Sequence, residues 1–418
     1  ASRLGASIVP VGGNTGLNGG THSDKSISIS MERMNNIHEI RSSSKIALVE
    51  AGVILTTLHQ AVNENDLMFP LTFGARGSAT IGGVLSTNAG GSNVLKYGNT
   101  RDLVLGVEIV LPNGDIMNLM SELHKDNSGY CLRDLVIGAE GTLGIITQAV
   151  LKLFPKPKAH ATAMVAVKSL DHALALLNEL QEGTGGAVAA YEYMPKRYIQ
   201  GYMELSSSSR KPFQKDYDHL VMIELETTVE LFSRSTDDGQ VLLSGELERI
   251  LNKNLVDGSI LDAHIAQNEE QRLIMWERRE AAAEISLLKK PLINNDIAVP
   301  LEKISEFLTI MEKKLPELDP EADVLIVSHL GDGNVHYTVW PSLDDEKHKD
   351  KIMEAIENVV LLLGGSFSAE HGIGISKLSS MERRKDSVAL KVMRQIKDAI
   401  DPKGIMNPGK VLPREYDS

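Results

Sequence analysis

The residues best suited to chemistry lie between positions 327 and 377, where the chain reads VSHLGDGNVHYTV and then FSAEHGIGISK. His329 and His336 are seven residues apart and flank the cluster Gly331-Asp332-Gly333-Asn334. Glycine, Asp and Asn between two apolar runs favour a tight turn that joins two strands. The sequence therefore predicts a hairpin whose two imidazoles are brought back toward one another.

Glu370 and His371 follow further along, just before another glycine-rich turn. Two imidazoles and one carboxylate with an open coordination position are typical of a catalytic divalent site, most often zinc. His371, beside the third ligand, would then be placed to act as a general base. A polar hairpin without a metal explains the two histidines equally well on spacing alone, so both interpretations stay open at this point.

Composition limits the classes of protein and of partner. A chain of 418 residues with 42% hydrophobic and 24% charged residues is expected to form two or three globular domains. The net charge of −13 argues against nucleic acid and anionic membranes as partners. Cys131 is the single cysteine, which excludes a disulfide within the chain and favours a reducing compartment; we expect it to be a small buried residue.

No apolar run approaches the ~20 residues of a membrane span, and no signal peptide is visible. We therefore expect a cytoplasmic protein, or a mitochondrial matrix protein in a eukaryote. The first residues read as the end of a helix that runs into a strand, which suggests that the sequence starts inside a domain. Whether a targeting segment precedes it is therefore an open question.

Three glycine-rich stretches mark the first third of the chain. Residues 7–20 (SIVPVGGNTGLNGG) could form a nest of backbone amides for a diphosphate, although a plain turn is an open alternative. Residues 68–91 show no helical or strand period, which predicts a winding segment that follows an extended ligand. Residues 137–155 predict a turn and a long strand, or a β-bulge, and residues 103–119 predict a hairpin.

The middle of the chain alternates strand and helix patterns, which predicts an antiparallel sheet with helices on one side. The predicted strands are 161–167, 188–194, 219–227 and 293–300, and the predicted helices are 171–182 with Asp171 as N-cap, 239–252, 267–289, 301–315 and 381–400. Residues 206–212 (SSSSRKP) predict a polar loop. Arg278 and Arg279 point about 100° apart on the helix 267–289, so one can face a pocket while the other is solvated.

The motifs PVGGNTG, LTFGARGSATIGG with TNAGG, and GAEGTLGIIT resemble the flavin-binding elements of the vanillyl-alcohol-oxidase (PCMH) type of FAD domain. The resemblance implies that the first motif holds the FAD diphosphate, the second lines the isoalloxazine side and the third holds the adenosine half. The implied contacts are, in these three groups, Gly12, Gly13, Asn14, Thr15 and Gly16; Pro70, Gly74, Gly77, Ser78, Gly82, Gly83, Asn88, Gly90 and Gly91; and Glu140, Gly141, Gly144, Ile145 and Ile146. Some family members attach FAD to a His of the first loop. This loop has none before His22, so we expect non-covalent FAD.

HLGDGNVH, SAEHGIG and DPKGIMNPGK resemble the FAD- and metal-dependent D-2-hydroxyacid dehydrogenases, most closely their D-2-hydroxyglutarate dehydrogenase branch. The resemblance implies His329, His336 and Glu370 as ligands of a divalent metal, with zinc as the expected ion. It implies His371 as the base that also contacts the substrate, Arg279 as the clamp for its carboxylate, and Asn407 near the flavin.

The expected fold class is α+β. A PCMH-type FAD domain (1–155), which begins without most of the family's first strand–helix unit, precedes an antiparallel-sheet cap or substrate domain with helices (156–365). A C-terminal segment (366–418) would pack back on the FAD domain.

Three positions depart from the pattern of the D-2-hydroxyglutarate branch. Asn294 stands where a lysine is expected, Ala283 where a threonine is expected and Thr338 where an asparagine is expected, all at positions that contact substrate in that branch. The expected substrate is D-2-hydroxyglutarate, oxidised to the 2-oxo acid by hydride transfer to flavin, with D-lactate or D-malate as the alternative.

An electron-transfer flavoprotein, a quinone or a cytochrome would reoxidise the flavin, and a homodimer stays open. Two rival interpretations are a metal-dependent hydrolase with purely structural glycine loops and a flavin-binding protein without turnover.

Overall fold

The computed structural model describes residues 1–205, 208–235 and 241–413. The strands are β1 (Ile8–Val11), β2 (Ile27–Ser30), β3 (Ile37–Arg41), β4 (Ile46–Glu50), β5 (Leu67–Met68), β6 (Val104–Val110), β7 (Ile116–Leu119), β8 (Ile145–Lys152), β9 (Phe154–Pro155), β10 (Ala159–Val167), β11 (Val188–Tyr193), β12 (Leu220–Thr227), β13 (Ile260–Ile265), β14 (Ile293–Ala298), β15 (Asp323–His329) and β16 (Asn334–Trp340).

The α-helices are α1 (Leu55–Asn63), α2 (Ile81–Thr87), α3 (Val94–Tyr97), α4 (Leu132–Val136), α5 (Leu170–Gly183), α6 (Lys196–Leu205), α7 (Leu242–Asp257), α8 (Glu269–Glu280), α9 (Ala282–Ser286), α10 (Ile304–Leu318), α11 (Glu346–Leu362), α12 (Leu378–Arg384) and α13 (Ser387–Ile400). These elements form two compact units. Unit 1 comprises residues 1–91, 97–156 and 370–418, and unit 2 comprises residues 92–96 and 157–369.

Unit 1 is built on a five-stranded antiparallel sheet with the order β3-β4-β8-β6-β7. The hairpin predicted over 103–119 is confirmed as β6 and β7, and the strand predicted after residue 137 is confirmed as β8. One hydrophobic core joins the inner residues of these strands with Leu55 and Leu58 of α1 and Ile81 of α2. The sheet thus supplies the rigid support from which the glycine-rich loops of this unit project.

Residues from Glu370 onward belong to unit 1. Strands β1 and β2 pair in parallel, and residues 405–407 extend this pair on the other side of β1. The amide of Ile8 donates to the carbonyl of Ile405, and the amide of Asn407 donates to the carbonyl of Ile8, both over 2.7 Å. These bonds fix Asn407 beside the start of the first glycine loop.

Unit 2 is built on a seven-stranded sheet with the order β13-β10-β12-β11-β15-β16-β14, in which every pairing is antiparallel. The predicted hairpin around GDGN is confirmed as β15 and β16, which pair His329 with Asn334. Gly333 in the turn has φ of 87°, a left-handed conformation that glycine adopts without strain. The antiparallel sheet of the second domain is therefore as expected.

The prediction of helices on one side of that sheet is wrong, because helices cover both faces. Helices α5, α7, α10 and α11 share a core with one face, including Ala163 and Ile223. Helices α6, α8 and α9 pack on the other face, against residues such as Met164 and Met222. Strand β12 is buried at every position, although it contains Glu224 and Glu226, and burial at successive positions means that both faces of the strand are covered.

The helix predicted over 267–289 is two helices, α8 and α9, that meet at Ala281. The hydroxyl of Tyr198 donates to the carbonyls of Arg278 and Arg279 over 2.9 Å each. Since those carbonyls would otherwise accept bonds from the next helical turn, the tyrosine accounts for the end of α8.

Four further local predictions need correction. The helix predicted over 381–400 is likewise divided, at Lys385. The N-cap of α5 is Ser169, whose hydroxyl accepts from the amide of His172, rather than Asp171. Segment 68–91, in which no helix is predicted, contains the short helix α2, capped by Thr80. Cys131 is exposed rather than buried.

Two predictions reach beyond the described residues. Helix α7 runs from Leu242 to Asp257 and ends at Gly258 in the left-handed conformation, so it extends further than the predicted end at residue 252. The predicted start at residues 239–240 lies outside the described residues, as do residues 206–207 of the predicted polar loop.

Candidate active site

The predicted histidine pair of unit 2 is brought together on one face of the sheet. The rings of His329 and His336 lie with centroids 5.4 Å apart at an interplanar angle of 76°. On the neighbouring strands, Glu192 of β11 stands opposite His329, and Asp296 of β14 stands opposite His336. Alternation along the strands places all four side chains on the face covered by α6, α8 and α9.

Sequence reasoning missed Glu192, a residue that contacts both His329 of the histidine pair and Arg279. It is fully buried, and its carboxylate accepts from Nδ1 of His329 over 2.8 Å and from Nε of Arg279 over 2.5 Å. Burial acts to raise the pKa of Glu192, but the charges and hydrogen bonds of Arg279 and His329 outweigh it and hold that pKa below its ordinary value. The sequence did contain a signal for this residue, namely a glutamate inside the otherwise uncharged strand VAAYEY. A charge that is buried in a strand needs a partner, so such a glutamate indicates a nearby cation or hydrogen-bond donor.

Asp296 and Asn334 organise the other side of the histidine pair. Asn334 donates through Nδ2 to Oδ1 of Asp296 over 2.8 Å and to the carbonyl of Ile297 over 2.9 Å. Nδ1 of His336 lies 3.8 Å from the same Asp296 oxygen. Oδ1 of Asn334 is buried without a hydrogen-bond partner among the described residues, so it is an unused acceptor next to His336.

Helix α8 is held on the sheet by two buried ion pairs two helical turns apart. Arg272 pairs bidentately with Glu224, at 2.5 and 2.9 Å, and Trp276 also donates to Glu224 over 2.8 Å. Seven residues later, Arg279 pairs with Glu192. Residues seven apart lie on nearly the same side of a helix, so both guanidinium groups reach the sheet. This anchoring fixes where Arg279 lies.

Arg278 and Arg279 are both buried, so the prediction that one of them is solvated is wrong. The exposed fraction is 7% for Arg279 and 4% for Arg278. Arg278 stacks over Tyr202 at 5.6 Å and donates to the carbonyl of Arg210 over 3.2 Å. Burial lowers the pKa of Arg278. Arg279, by contrast, contacts Glu192 and His329.

The two predicted specificity positions on the sheet form a neutral pair. Asn294 and Thr338 stand opposite each other on β14 and β16, and the Thr338 hydroxyl donates to Oδ1 of Asn294 over 3.0 Å. Thr338 is buried while Asn294 is exposed. The pair therefore presents amide N–H groups and no charge. Asn294 lies two residues before Asp296 on β14, and Thr338 lies two residues after His336 on β16.

The glycine motifs predicted to hold the cofactor converge within unit 1. The first loop crosses the second segment so closely that a Cβ on Gly12 would overlap the Thr80 hydroxyl, and one on Gly13 would overlap the carbonyl of Ser78. Gly141 of the third motif lies where a Cβ would come within 2.6 Å of Pro10. Gly90 and Gly91 in turn approach the side chain of Glu370 and the carbonyl of Thr72. These close approaches are possible only without side chains.

Other glycines of the same loops have no packing reason to be glycine. A Cβ on Gly16, Gly74 or Gly77 would meet nothing within 4 Å. Bare backbone that borders open space fits a ligand held by backbone amides, such as a dinucleotide diphosphate. Gly144 differs, because a Cβ there would lie 2.6 Å from Ile109. Ile145 and Ile146 belong to strand β8, and Ile146 is buried in the core. These three predicted cofactor contacts therefore also have a role in the fold.

Four predicted cofactor residues adopt the left-handed backbone conformation that non-glycine residues rarely take. They are Asn14, Asn88, Glu140 and Asn407, with φ of 52°, 51°, 51° and 39°. Strained backbone of this kind concentrates at ligand sites, where surrounding contacts enforce it. Here those contacts include the amide of Arg101 bonded to Asn88 and the hydroxyl of Thr21 bonded to Asn14.

Asn407 and Glu140 tie the three motifs to the turn that carries His371. Asn407 donates through Nδ2 to the carbonyls of Gly20 and Glu140, over 2.9 and 2.7 Å, and its buried Oδ1 has no partner among the described residues. The Glu140 carboxylate accepts from the amides of Ile373 and Gly374 over 2.7 and 2.8 Å. Burial raises the pKa of Glu140 despite these bonds.

Glu370 and His371 belong to unit 1 and lie against its glycine motifs. The Glu370 carboxylate lies beside Gly90, in the segment predicted to line the flavin. Nδ2 of Asn18 donates to the carbonyls of His371 and Gly372 over 3.0 and 2.6 Å. The structure thus places the predicted carboxylate ligand beside the predicted flavin segment, and the backbone of the predicted base beside Asn18 of the first glycine-rich stretch.

Comparisons with known families agree with this arrangement. Residues 1–120 match the family described as FAD binding domain, and residues 156–411 match the family described as FAD linked oxidases, C-terminal domain. The chain is thus an FAD-linked oxidoreductase, and its cofactor is FAD.

D-2-hydroxyglutarate dehydrogenases are similar over nearly the whole chain. That of Xanthomonas citri pv. viticola is 31% identical and covers 99% of this chain and 85% of its own. The mitochondrial enzymes of Arabidopsis thaliana and Rattus norvegicus are 34% and 33% identical, each over 97% of this chain and over 70% and 74% of their own. The chain belongs to the family of FAD-linked oxidases that contains these dehydrogenases.

A solved structure of an alkyldihydroxyacetonephosphate synthase shares the fold, with a TM-score of 0.69 and 17% identity over 98% of this chain and 73% of that chain. None of the helices in the described part of the chain has the length and apolar character that a bilayer crossing needs.

Proposed function

We propose that this protein oxidises a D-2-hydroxy acid to the 2-oxo acid, with D-2-hydroxyglutarate as the first candidate substrate. The observation that supports this proposal most is the pair His329–His336, backed by Glu192 and Arg279 on one sheet face. Imidazoles that face each other beside an arginine suit a hydroxy acid, which offers a hydroxyl and a carboxylate on adjacent carbons. The names of the relatives point to the same substrate class.

We propose His329, His336 and Glu370 as ligands of a divalent cation, zinc by their chemistry. Glu370 directly follows Ala369, whose amide donates to the carbonyl of Asp296 over 3.1 Å, and Asp296 is the strand partner of His336. When bound, such a cation polarises the substrate hydroxyl and lowers its pKa.

The protein's own groups would orient the acid and move its proton. Arg279 binds the substrate carboxylate, a task for which its planar fork is suited, and Glu192 keeps the guanidinium in place. His371 takes the proton of the substrate hydroxyl. FAD, bound without a covalent link, would supply the acceptor for the hydride that leaves C2 of the acid. Asn18 and Glu140 hold the backbone of the turn from which His371 projects.

D-lactate or D-malate is the second candidate. The neutral pair of Asn294 and Thr338 favours D-lactate in particular, because D-lactate has no distal carboxylate. A lysine at position 294 would place a positive charge toward a distal carboxylate. Loss of one charge-assisted contact costs on the order of 1.5–3 kcal/mol, which corresponds to about ten- to a hundred-fold in binding. An electron-transfer flavoprotein, a quinone or a cytochrome would reoxidise the flavin, in the cytoplasm or in a mitochondrial matrix.

A panel of D- and L-2-hydroxy acids tests the proposal, with an artificial dye as acceptor, before and after removal of divalent cations with a chelator. We expect reduction of the dye with D-acids only, loss of activity on chelation and recovery with zinc. A flavin that bleaches with no hydroxy acid under anaerobic conditions would contradict the oxidation. Full activity after chelation would contradict the metal role alone.

A further inference from the structure

We propose that Glu192 is a positioning residue that fixes a metal ligand and the substrate clamp at the same time, an inference that rests on the proposed function. One carboxylate serves both groups. Its Oε1 accepts from Nδ1 of His329 over 2.8 Å, and its Oε2 accepts from Nε of Arg279 over 2.5 Å.

The hydrogen bond to Glu192 decides which ring nitrogen of His329 is free of a proton and can bind a metal ion. A carboxylate that accepts at Nδ1 holds the proton on that nitrogen and leaves the lone pair on Nε2. Nη2 of Arg279 lies almost equally far from the two ring nitrogens, 3.4 Å from Nδ1 and 3.3 Å from Nε2. The carboxylate of Glu192 is therefore the neighbour that favours the neutral tautomer with an unprotonated Nε2, the form that can bind a cation.

The same carboxylate limits the movement of Arg279. Its Nε is bonded to Glu192, and the side chain is 9% exposed. Because an arginine loses less freedom on binding a carboxylate when its fork is already held, Glu192 contributes to substrate affinity without touching the substrate.

The chain supplies a matched control on the same face of the sheet. Glu224 is also a buried strand carboxylate, 4% exposed, and it pairs with Arg272 of the same helix α8. It contacts neither His329 nor Arg279. A variant that loses the charge of Glu224 therefore also loses an ion pair between the sheet and α8. It leaves the contacts of Glu192 with His329 and Arg279 in place, so it measures the structural cost alone.

The test compares Glu192→Gln with Glu224→Gln in the full chain. Glutamine keeps the shape, but it replaces one of the two carboxylate oxygens by an NH2 donor. In the same geometry it can therefore accept from His329 or from Arg279, but not from both. The first measurement is zinc affinity of the metal-free protein, by competition with a chromophoric chelator. We expect Glu192→Gln to lose about ten- to a hundred-fold, as outer partners of metal-binding histidines do, and Glu224→Gln to keep the wild-type affinity.

The second measurement separates the two roles of Glu192. We expect Glu192→Gln to raise the KM for the D-2-hydroxy acid while the KM for the dye acceptor and the FAD content stay those of Glu224→Gln. Equal zinc affinity in Glu192→Gln and wild type would overturn the inference while leaving the oxidation intact. Absence of both zinc binding and acid oxidation in the wild type would reject the proposed function, and the positioning role with it.

A second variant covers the case in which Glu192→Gln does not fold. The double variant Glu192→Leu/Arg279→Met replaces the buried ion pair by apolar groups of similar volume, which proteins often tolerate without loss of stability. It removes the acceptor of His329 Nδ1, so the same loss of zinc affinity is expected. A folded double variant that binds zinc like the wild type would contradict the role of Glu192 at His329.

Discussion

At the scale of single residues, we expect substrate choice to depend on Asn294, near the start of β14, and on its partner Thr338 on β16. Asn294 and Thr338 are bonded to each other over 3.0 Å and carry no charge. A second carboxylate on the substrate would find only neutral donors there. We therefore expect a single substitution of the exposed Asn294 to change the length and charge of the substrate that the protein prefers.

We predict that Asn294→Lys raises kcat/KM for D-2-hydroxyglutarate by about ten- to a hundred-fold, the worth of one charge-assisted contact. The reason is the added ammonium group opposite the distal carboxylate. Steady-state kinetics with the dye acceptor measure the effect. D-lactate, which has no second carboxylate, is the internal control and should gain nothing; an equal gain for both acids would refute this account of specificity.

His371 is the other residue whose role is sharply testable. We predict that His371→Asn lowers kcat by about a hundred- to ten-thousand-fold, the usual contribution of a general base. The flavin absorbance and thermal stability should stay close to those of the wild type, because Asn18 and Glu140 hold this turn through its backbone. Near-normal kcat in a folded variant would show that another group takes the proton.

At the scale of elements, the first glycine loop contains two kinds of glycine. A Cβ on Gly13 would overlap the carbonyl of Ser78, whereas a Cβ on Gly16 would meet nothing within 4 Å. The first glycine lets two backbone segments cross, and the second leaves space that the protein itself does not fill. Only the latter points directly to a ligand.

We predict that Gly13→Ala destabilises the FAD-free protein by about 1–3 kcal/mol, the cost of overpacking, and also loses FAD. Gly16→Ala should leave the melting temperature of the FAD-free protein unchanged while it weakens FAD binding. Calorimetry of the stripped protein and flavin titration separate these effects. Unchanged FAD affinity in Gly16→Ala would place the diphosphate away from this loop.

Asp319 joins the end of α10 to the strand and helix that follow. Its carboxylate accepts from the amide of Ser342 over 2.8 Å and lies 2.9 Å from Nε2 of His348. Burial opposes its ionisation, but these hydrogen bonds lower the pKa of Asp319 from 3.8 to about 2. A carboxyl whose pKa is depressed by folding stabilises the protein above its ordinary pKa, and this contribution is lost as pH falls through the folded value.

We therefore predict that Asp319→Asn lowers the free energy of unfolding at pH 7 by on the order of 1–3 kcal/mol, the cost of lost bonds to a charged group. The difference from wild type should shrink as the pH falls from about 4 toward about 2. Urea unfolding at several pH values measures it. A difference that is independent of pH would mean that the charge of Asp319 is not what stabilises this junction.

At the scale of the whole molecule, stability should depend on what is bound, because the cofactor loops of unit 1 are strained and border open space. Strained backbone at Glu140 and Asn407 is enforced by contacts that a bound dinucleotide would complete. A ligand that binds only the folded state stabilises it by mass action.

We predict that FAD at a hundred times its dissociation constant stabilises the stripped protein by about 2.7 kcal/mol, which raises the melting temperature of the unit that binds it by about 5–10 °C. Calorimetry with and without FAD measures this shift, with FMN as the control that lacks the adenosine half. An equal shift with FMN would show that the third motif, around Glu140 and Gly141, contributes nothing to binding.

The sequence by itself determined the elements with a strong local signal. The GDGN turn predicted the hairpin that brings His329 to His336, and glycine spacing predicted the three motifs that converge in unit 1. Such signals are local, because turn chemistry and glycine conformation depend on a few neighbouring residues. The ligand roles of these residues stay predictions.

Only the tertiary structure decided which distant residues meet. Glu192, Arg279 and His329 are far apart in the chain and meet because antiparallel register and the placement of α8 bring them to one face. Likewise, helices on both faces of the sheet, the break at Ala281 and the exposure of Cys131 depend on packing partners. A single sequence carries propensity and periodicity, whereas burial and pairing are properties of the folded chain as a whole.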